Sequence, residues 1–101
     1  MKFASFREFY PFYLSQHSNR SSRRLHFVGS TATLACFAMM LAQPHLALAW
    51  FVAAVVSGYG FAWIGHFVFQ KNRPATFTHP IYSLMGDWVM YYKIWTGKIP
   101  F

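Results

Sequence analysis

The chain has 101 residues, 55% hydrophobic and 22% aromatic, with nine Lys/Arg against two Asp/Glu and a formal charge of +7. That length allows one domain at most, the aromatic content excludes a disordered chain, and the single cysteine, Cys36, excludes a disulfide scaffold. The apolar residues come in long runs, and a soluble chain of ~100 residues would bury only about two-thirds of its surface, so the bilayer is the expected solvent.

Residues 1–24 read as an N-terminal interfacial helix followed by a basic loop. Positions 3–16 are rich in aromatics, and 17–24 (HisSerAsnArgSerSerArgArg) are polar and mostly basic. Leu25–Ala42 and Leu46–Phe69 follow, with 18 and 24 residues and no Asp, Glu, Lys or Arg in either. Each matches the ~20 apolar residues that a spanning helix needs. Gln43-Pro44-His45 between them suits a turn, because Pro44 cannot continue the first helix and restricts Gln43. Ser21 or Ser22 is the expected cap of the first span, and Asn72 with Arg73-Pro74 the expected end of the second. Residues 70–101 form a C-terminal interfacial segment, in which Trp88, Tyr91, Tyr92 and Trp95 suit a helix lying at the membrane surface; 81–95 could also re-enter the bilayer. The expected fold is therefore all-α, an integral membrane helical hairpin with flanking interfacial helices, over a single domain 1–101.

All nine cationic side chains lie outside the hairpin, five before it and four after it. The positive-inside rule then places both termini in the cytoplasm, in an inner membrane or one of the endoplasmic reticulum type. Anionic lipid headgroups account for the charge better than nucleic acid. A signal peptide ending near Ala47-Leu48-Ala49 fits less well, because a long aromatic lead-in precedes the apolar run.

Five histidines against two carboxylates is the informative imbalance. His17, His26, His66 and His79 fall at one end of the hairpin, whereas His45 sits in the opposite turn, about 30 Å away. On one continuous helix His17 and His26 would face opposite ways, so they meet only if Ser18–Ser22 bends the chain. His66 and Gln70 are four apart and share a face of an α-helix. Most histidines near an interface are hydrogen-bonded polar residues and no more. His66 differs because it lies inside an apolar span, where ionisable groups point to function. Spacing names no metal, since imidazole suits Zn, Cu, Fe and Ni alike. Cys36 reads as an inert packing residue, and Gly58, Gly60 and Gly65 as positions that let helices approach closely.

Four strings carry a further signal: TyrLeuSerGlnHisSerAsn (13–19), ArgArgLeuHisPheValGly (23–29), GlyHisPheValPheGlnLysAsnArgProAlaThrPhe (65–77) and HisProIleTyrSerLeuMetGlyAsp (79–87). In their order and spacing the chain resembles the Mpo-like family of small membrane proteins, typified by a fungal 2-hydroxy-palmitate dioxygenase. The resemblance implies a non-haem Fe(II) centre on histidines, here drawn from His17, His26 and His66, with His79 following the motif less closely. It also implies α-oxidation, in which O₂ converts a 2-hydroxy fatty acid to the acid one carbon shorter. Gln70 stands where relatives usually carry glutamate, and Ser22 where they usually carry asparagine. Gln70, Lys71 and Arg73 are the candidate substrate contacts, with Arg73 the better partner for a carboxylate. The alternatives are a non-enzymatic lipid-binding or accessory membrane protein and a bis-His haem protein. Membrane lipid is an expected partner, nucleic acid is not, and a homo-oligomer is open.

Overall fold

The computed structural model describes residues 2–101 and contains four α-helices and no strand among them. Helix α1, Phe6–Ser15, starts on a capping arrangement: Ser5 Oγ accepts from Glu8 N at 3.3 Å, and Glu8 Oε2 accepts from Ala4 N at 2.8 Å. Helix α2, Arg20–Ala42, follows after a short turn. Its cap is Asn19, whose side-chain oxygen accepts from Ser22 N at 3.1 Å. This corrects the expected Ser21 or Ser22 cap. Ser22 instead lies inside the first turn and is 1% exposed.

Pro44 turns the chain as expected, through a short 3₁₀ segment at Pro44–Leu46. Gln43 stays satisfied there by accepting from Trp50 Nε1 at 2.9 Å. Helix α3, Ala47–Ile64, then returns antiparallel and continues as a π-helical turn over Gly65–Gln70. The α2 helix and the continuous Pro44–Gln70 stretch have 23 and 27 residues, so both are long and apolar enough to cross a bilayer. Helix α4, Pro80–Trp95, completes the chain after a 3₁₀ turn at Ala75–Phe77.

Missing side chains let α2 and α3 approach. A Cβ on Gly29 would lie 2.9 Å from Phe61 Cβ and 3.0 Å from Ser57 O, and one on Gly65 would lie 2.8 Å from Ser22 Oγ. A Cβ on Gly58 would meet Thr33 Oγ1 at 2.8 Å, and that hydroxyl in turn donates to Ala54 O at 3.0 Å. Gly60 has nothing within 4 Å of its would-be Cβ and so plays no part in the contact. Gly29→Val therefore has to push α3 backbone away. It is expected to cost about 1–3 kcal/mol, read as a lower thermal midpoint in detergent, whereas Gly60→Ala, with open space for its methyl and a gain in helix propensity, keeps or raises the midpoint.

The buried cluster lies at the basic end of the hairpin, away from its middle. Phe9 and Tyr13 of α1 pack there with Ala75, Met90 and Ile94. Helix α4 is tied to α2 by a 2.8 Å hydrogen bond between Tyr91 Oη and Thr31 Oγ1, and to α1 by Gly86, whose would-be Cβ lies 3.0 Å from the Tyr13 ring. Further along the hairpin the apolar side chains face outward, Leu48 at 77% and Val56 at 63% exposure. Such a surface suits lipid as solvent.

Candidate metal centre

His17 sits in the α1–α2 turn, where His17 N donates to Leu14 O at 3.0 Å. Its Nδ1–H donates to Tyr13 O at 2.8 Å, which leaves the lone pair on Nε2. That nitrogen is buried and has no hydrogen-bond partner. Burial, helped by neighbouring His26 and His66, pushes the His17 imidazole down to about 3, so the ring stays neutral. A buried, neutral, unpartnered imidazole nitrogen is a ligand-ready group.

His26 lies two turns into α2, its ring 5.6 Å from that of His17 at nearly a right angle. The turn at Gln16–Asn19, beginning two residues before the stretch expected to bend, brings the two together. His26 Nε2 is 2.9 Å from Asp87 Oδ1, and Nδ1 faces Ser30 Oγ at 3.4 Å. With its proton on Nδ1, toward Ser30, the ring frees Nε2 for a cation.

Asp87 comes from α4 and is the residue that sequence reasoning missed. Its Oδ1 also accepts from Tyr13 Oη at 2.5 Å. Burial and the Asp87 carboxylate hold the Tyr13 phenol well above its usual range, so it remains a donor. His17, His26 and Asp87 each offer a ligand atom, and these atoms lie within 4.8 Å of one another. Two imidazoles and one carboxylate form a donor set that suits a non-haem Fe(II) oxygenase with open positions.

His66 stands beside this set, its ring 4.4 Å from that of His17. Its Nδ1–H donates to Asn72 Oδ1 at 2.7 Å, and Asn72 Nδ2 donates to Gln16 O at 3.2 Å. Asn72 thus fixes both the His66 tautomer and the α1–α2 turn. The π-helical turn separates His66 from Gln70, which an α-helix would have kept on one face. Gln70 reaches the turn instead: its Oε1 accepts from Asn19 N at 2.8 Å, and its Nε2 donates to Ser18 Oγ at 2.7 Å. His79 packs its ring against Phe3 and Phe9, at 5.2 and 5.3 Å, with Nδ1 2.8 Å from Thr78 Oγ1. Arg73 lies over the Phe77 ring at 5.5 Å, and Lys71 closes the π turn in a left-handed conformation, φ 57°. His45 lies in the far turn.

Two cavities meet at the cluster. A small one of about 20 Å³ is lined by Tyr13, His17, His26, His66 and Asp87 among others. A larger one of about 440 Å³ runs along the hairpin between α2 and α3, with α4 over one end. His26, Tyr59, Ala62 and Asp87 line both. The larger cavity is mainly apolar, with His26 and Asp87 at its cluster end.

The sequence model of the family described as 2-hydroxy-palmitic acid dioxygenase Mpo1-like matches residues 3–99. The chain belongs to this family. No curated protein and no solved structure matches it. In this Mpo1-like chain each of the four strings quoted above supplies part of the cluster: Tyr13 and His17, His26, His66 and Asn72, and Asp87. The signal for Asp87 was its place at the end of the fourth string, in a chain whose other acidic residue, Glu8, is used in the α1 cap.

Proposed function

We propose that this chain is an Fe(II)-dependent dioxygenase that shortens 2-hydroxy fatty acids by one carbon at the membrane interface. Overall, R–CH(OH)–COOH and O₂ give R–COOH, CO₂ and water. The observation that carries the reading is His17 Nε2, a buried imidazole nitrogen without a partner, facing a second imidazole and a carboxylate. His17, His26 and Asp87 hold the iron in this reading. Fe(II) bound there supplies O₂ activation.

The remaining residues have separate tasks. Tyr13 keeps Asp87 oriented through its phenol hydrogen bond, and Asn72 and Ser30 hold Nδ1 of His66 and His26, so that each Nε2 can act as an acceptor. His66, next to the ligand set, takes the proton of the substrate 2-hydroxyl on Nε2. Lys71 and Arg73 lie on the exposed stretch just before Pro74, which lines the small cavity, and their charge favours the approach of an acidic head group to that side. Gln70, with its hydrogen bonds to the Ser18–Asn19 turn, holds that turn in place. The distribution of Lys and Arg supports a cytoplasmic location for both termini and for the cluster.

The test uses protein purified anaerobically in detergent, reconstituted with Fe(II), and given 2-hydroxyhexadecanoic acid and O₂. The expected result is one equivalent of iron per chain and release of pentadecanoic acid, both lost in His17→Ala. Folded, iron-loaded protein that leaves the acid unchanged would refute the reading.

A further inference from the structure

We infer that the long cavity along the hairpin is a fitted slot for the acyl tail, with chain length read by the side chains at its far end. The inference rests on the dioxygenase reading for the identity of the head group, but the slot itself is argued from geometry. On α2 the cavity is lined by residues that recur on one helix face, from His26 to Phe37. On α3 its floor is made by Ala54, Gly58 and Ala62, three small residues at four-residue spacing. With side chains this small the floor is backbone and methyl, against which a methylene chain can lie.

Small residues alone would also suit a partner helix. Here the slot ends on Asp87 and His26, which also line the small cavity beside the unpartnered His17 nitrogen. An occupant must therefore be apolar along its length and carry a metal-binding, acidic or hydroxylated head at one end. A helix offers a row of side chains and no such head. A 2-hydroxy acid has both parts. Helix α4 closes only the head-group end, through Leu84 and Trp88, so a tail can slide in sideways from the lipid.

The depth can be estimated. Phe37 is eleven residues beyond His26, and Phe51 is eleven residues before Ala62. Both separations correspond to ~16 Å of helix. An extended chain with C–C bonds of about 1.52 Å at near-tetrahedral angles advances ~1.25 Å per carbon. The slot then holds about 13 tail carbons before the Phe37 and Phe51 rings, which makes a tail of palmitic length a close fit. Val55, seven residues from Ala62, lies about 10 Å along it, near the middle.

Two measurements test this. In the first, 2-hydroxy acids from decanoic to eicosanoic are compared with wild type, Val55→Trp and Phe37→Ala. Val55 and Phe37 are 42% and 40% exposed, so both variants are expected to fold. Val55→Trp is expected to lower kcat/KM for the hexadecanoic acid at least tenfold while the decanoic acid stays within threefold. Phe37→Ala is expected to move the optimum to longer chains. Three superimposable chain-length profiles would overturn the slot even with an active enzyme.

The second measurement needs no turnover. A 2-hydroxyhexadecanoic acid with a diazirine at its methyl end is bound to wild type in phosphatidylcholine vesicles, irradiated, and mapped by peptide mass spectrometry. Labelling is expected at Phe37 and Phe51. A label placed near the carboxyl end should move to Tyr59 and Trp88. If the enzyme reading failed and the slot held, this labelling would persist without product. Equal labelling of the opposite faces, at Val28, Val56 and Ile64, would mean that the acid dissolves in lipid and would overturn the proposal. Labelling of Phe37 and Phe51 that survives removal of the 2-hydroxyl and carboxyl, as with a diazirine-bearing phosphatidylcholine chain, would assign the groove to bulk lipid and would overturn it equally.

Discussion

Asp87→Asn should remove iron binding and turnover together while leaving the fold in place. The substitution keeps the shape of the side chain. The amide can still accept from Tyr13 Oη, which is 2.5 Å from Asp87 Oδ1 in the native protein. What it removes is the negative charge that strengthens the hold of two neutral imidazoles on a divalent cation. Loss of a supporting contact to a metal ligand commonly costs 10- to 100-fold in affinity or activity. Loss of the only carboxylate in the set should cost more, on the order of 10³-fold in kcat/KM. Iron content by elemental analysis and thermal midpoint in the same preparation would check the result. Full iron occupancy in the variant would remove Asp87 from the ligand set.

His66→Ala separates the two roles that an imidazole can play at this site. The three ligand atoms within 4.8 Å belong to His17, His26 and Asp87, so the variant should keep near-stoichiometric iron. It should nevertheless lose about 10²- to 10⁴-fold in kcat, the range usual for a positioned general base. Activity should recover partly with added imidazole, because His66 is 3% exposed and its loss leaves a void the size of the ring. Iron lost in parallel with activity would make His66 a ligand, as the sequence resemblance implied. Asn72→Ala should give a weaker version of the same defect, because it frees the His66 ring without deleting it.

Length and apolar patterning were enough to read the hairpin. Two runs without Asp, Glu, Lys or Arg, and a proline turn between them, leave few other ways to satisfy backbone groups in lipid. The structure departs from that reading only in local detail. Asn19 replaces Ser21 or Ser22 as the cap, because the helix starts at Arg20 and the Asn19 side chain, just outside it, accepts from Ser22 N. The same counting along the hairpin put His17, His26, His66 and His79 at one end. Gathering the first three needed only a bend between α1 and α2.

What counting could not reach were contacts between separate elements. Asp87 meets His26 across 61 positions and Tyr13 across 74, and no periodicity relates helices joined by loops. His79 and Asp87 are eight residues apart, yet one packs on Phe3 and Phe9 and the other on His26. Their placement depends on how α4 is rotated, and Gly86 fixes that rotation by letting the Tyr13 ring sit against the α4 backbone. Gln70 illustrates the same limit at short range, since the π turn moved it off the face of His66 and onto the Ser18–Asn19 turn. The sequence by itself determined a hairpin of two apolar helices, each long enough to cross a bilayer, and the end of it at which His17, His26 and His66 fall, because both follow from one-dimensional lengths and spacing. Only the tertiary structure decided which side chains complete the centre, because that depends on helix rotation and on close packing at a few glycines.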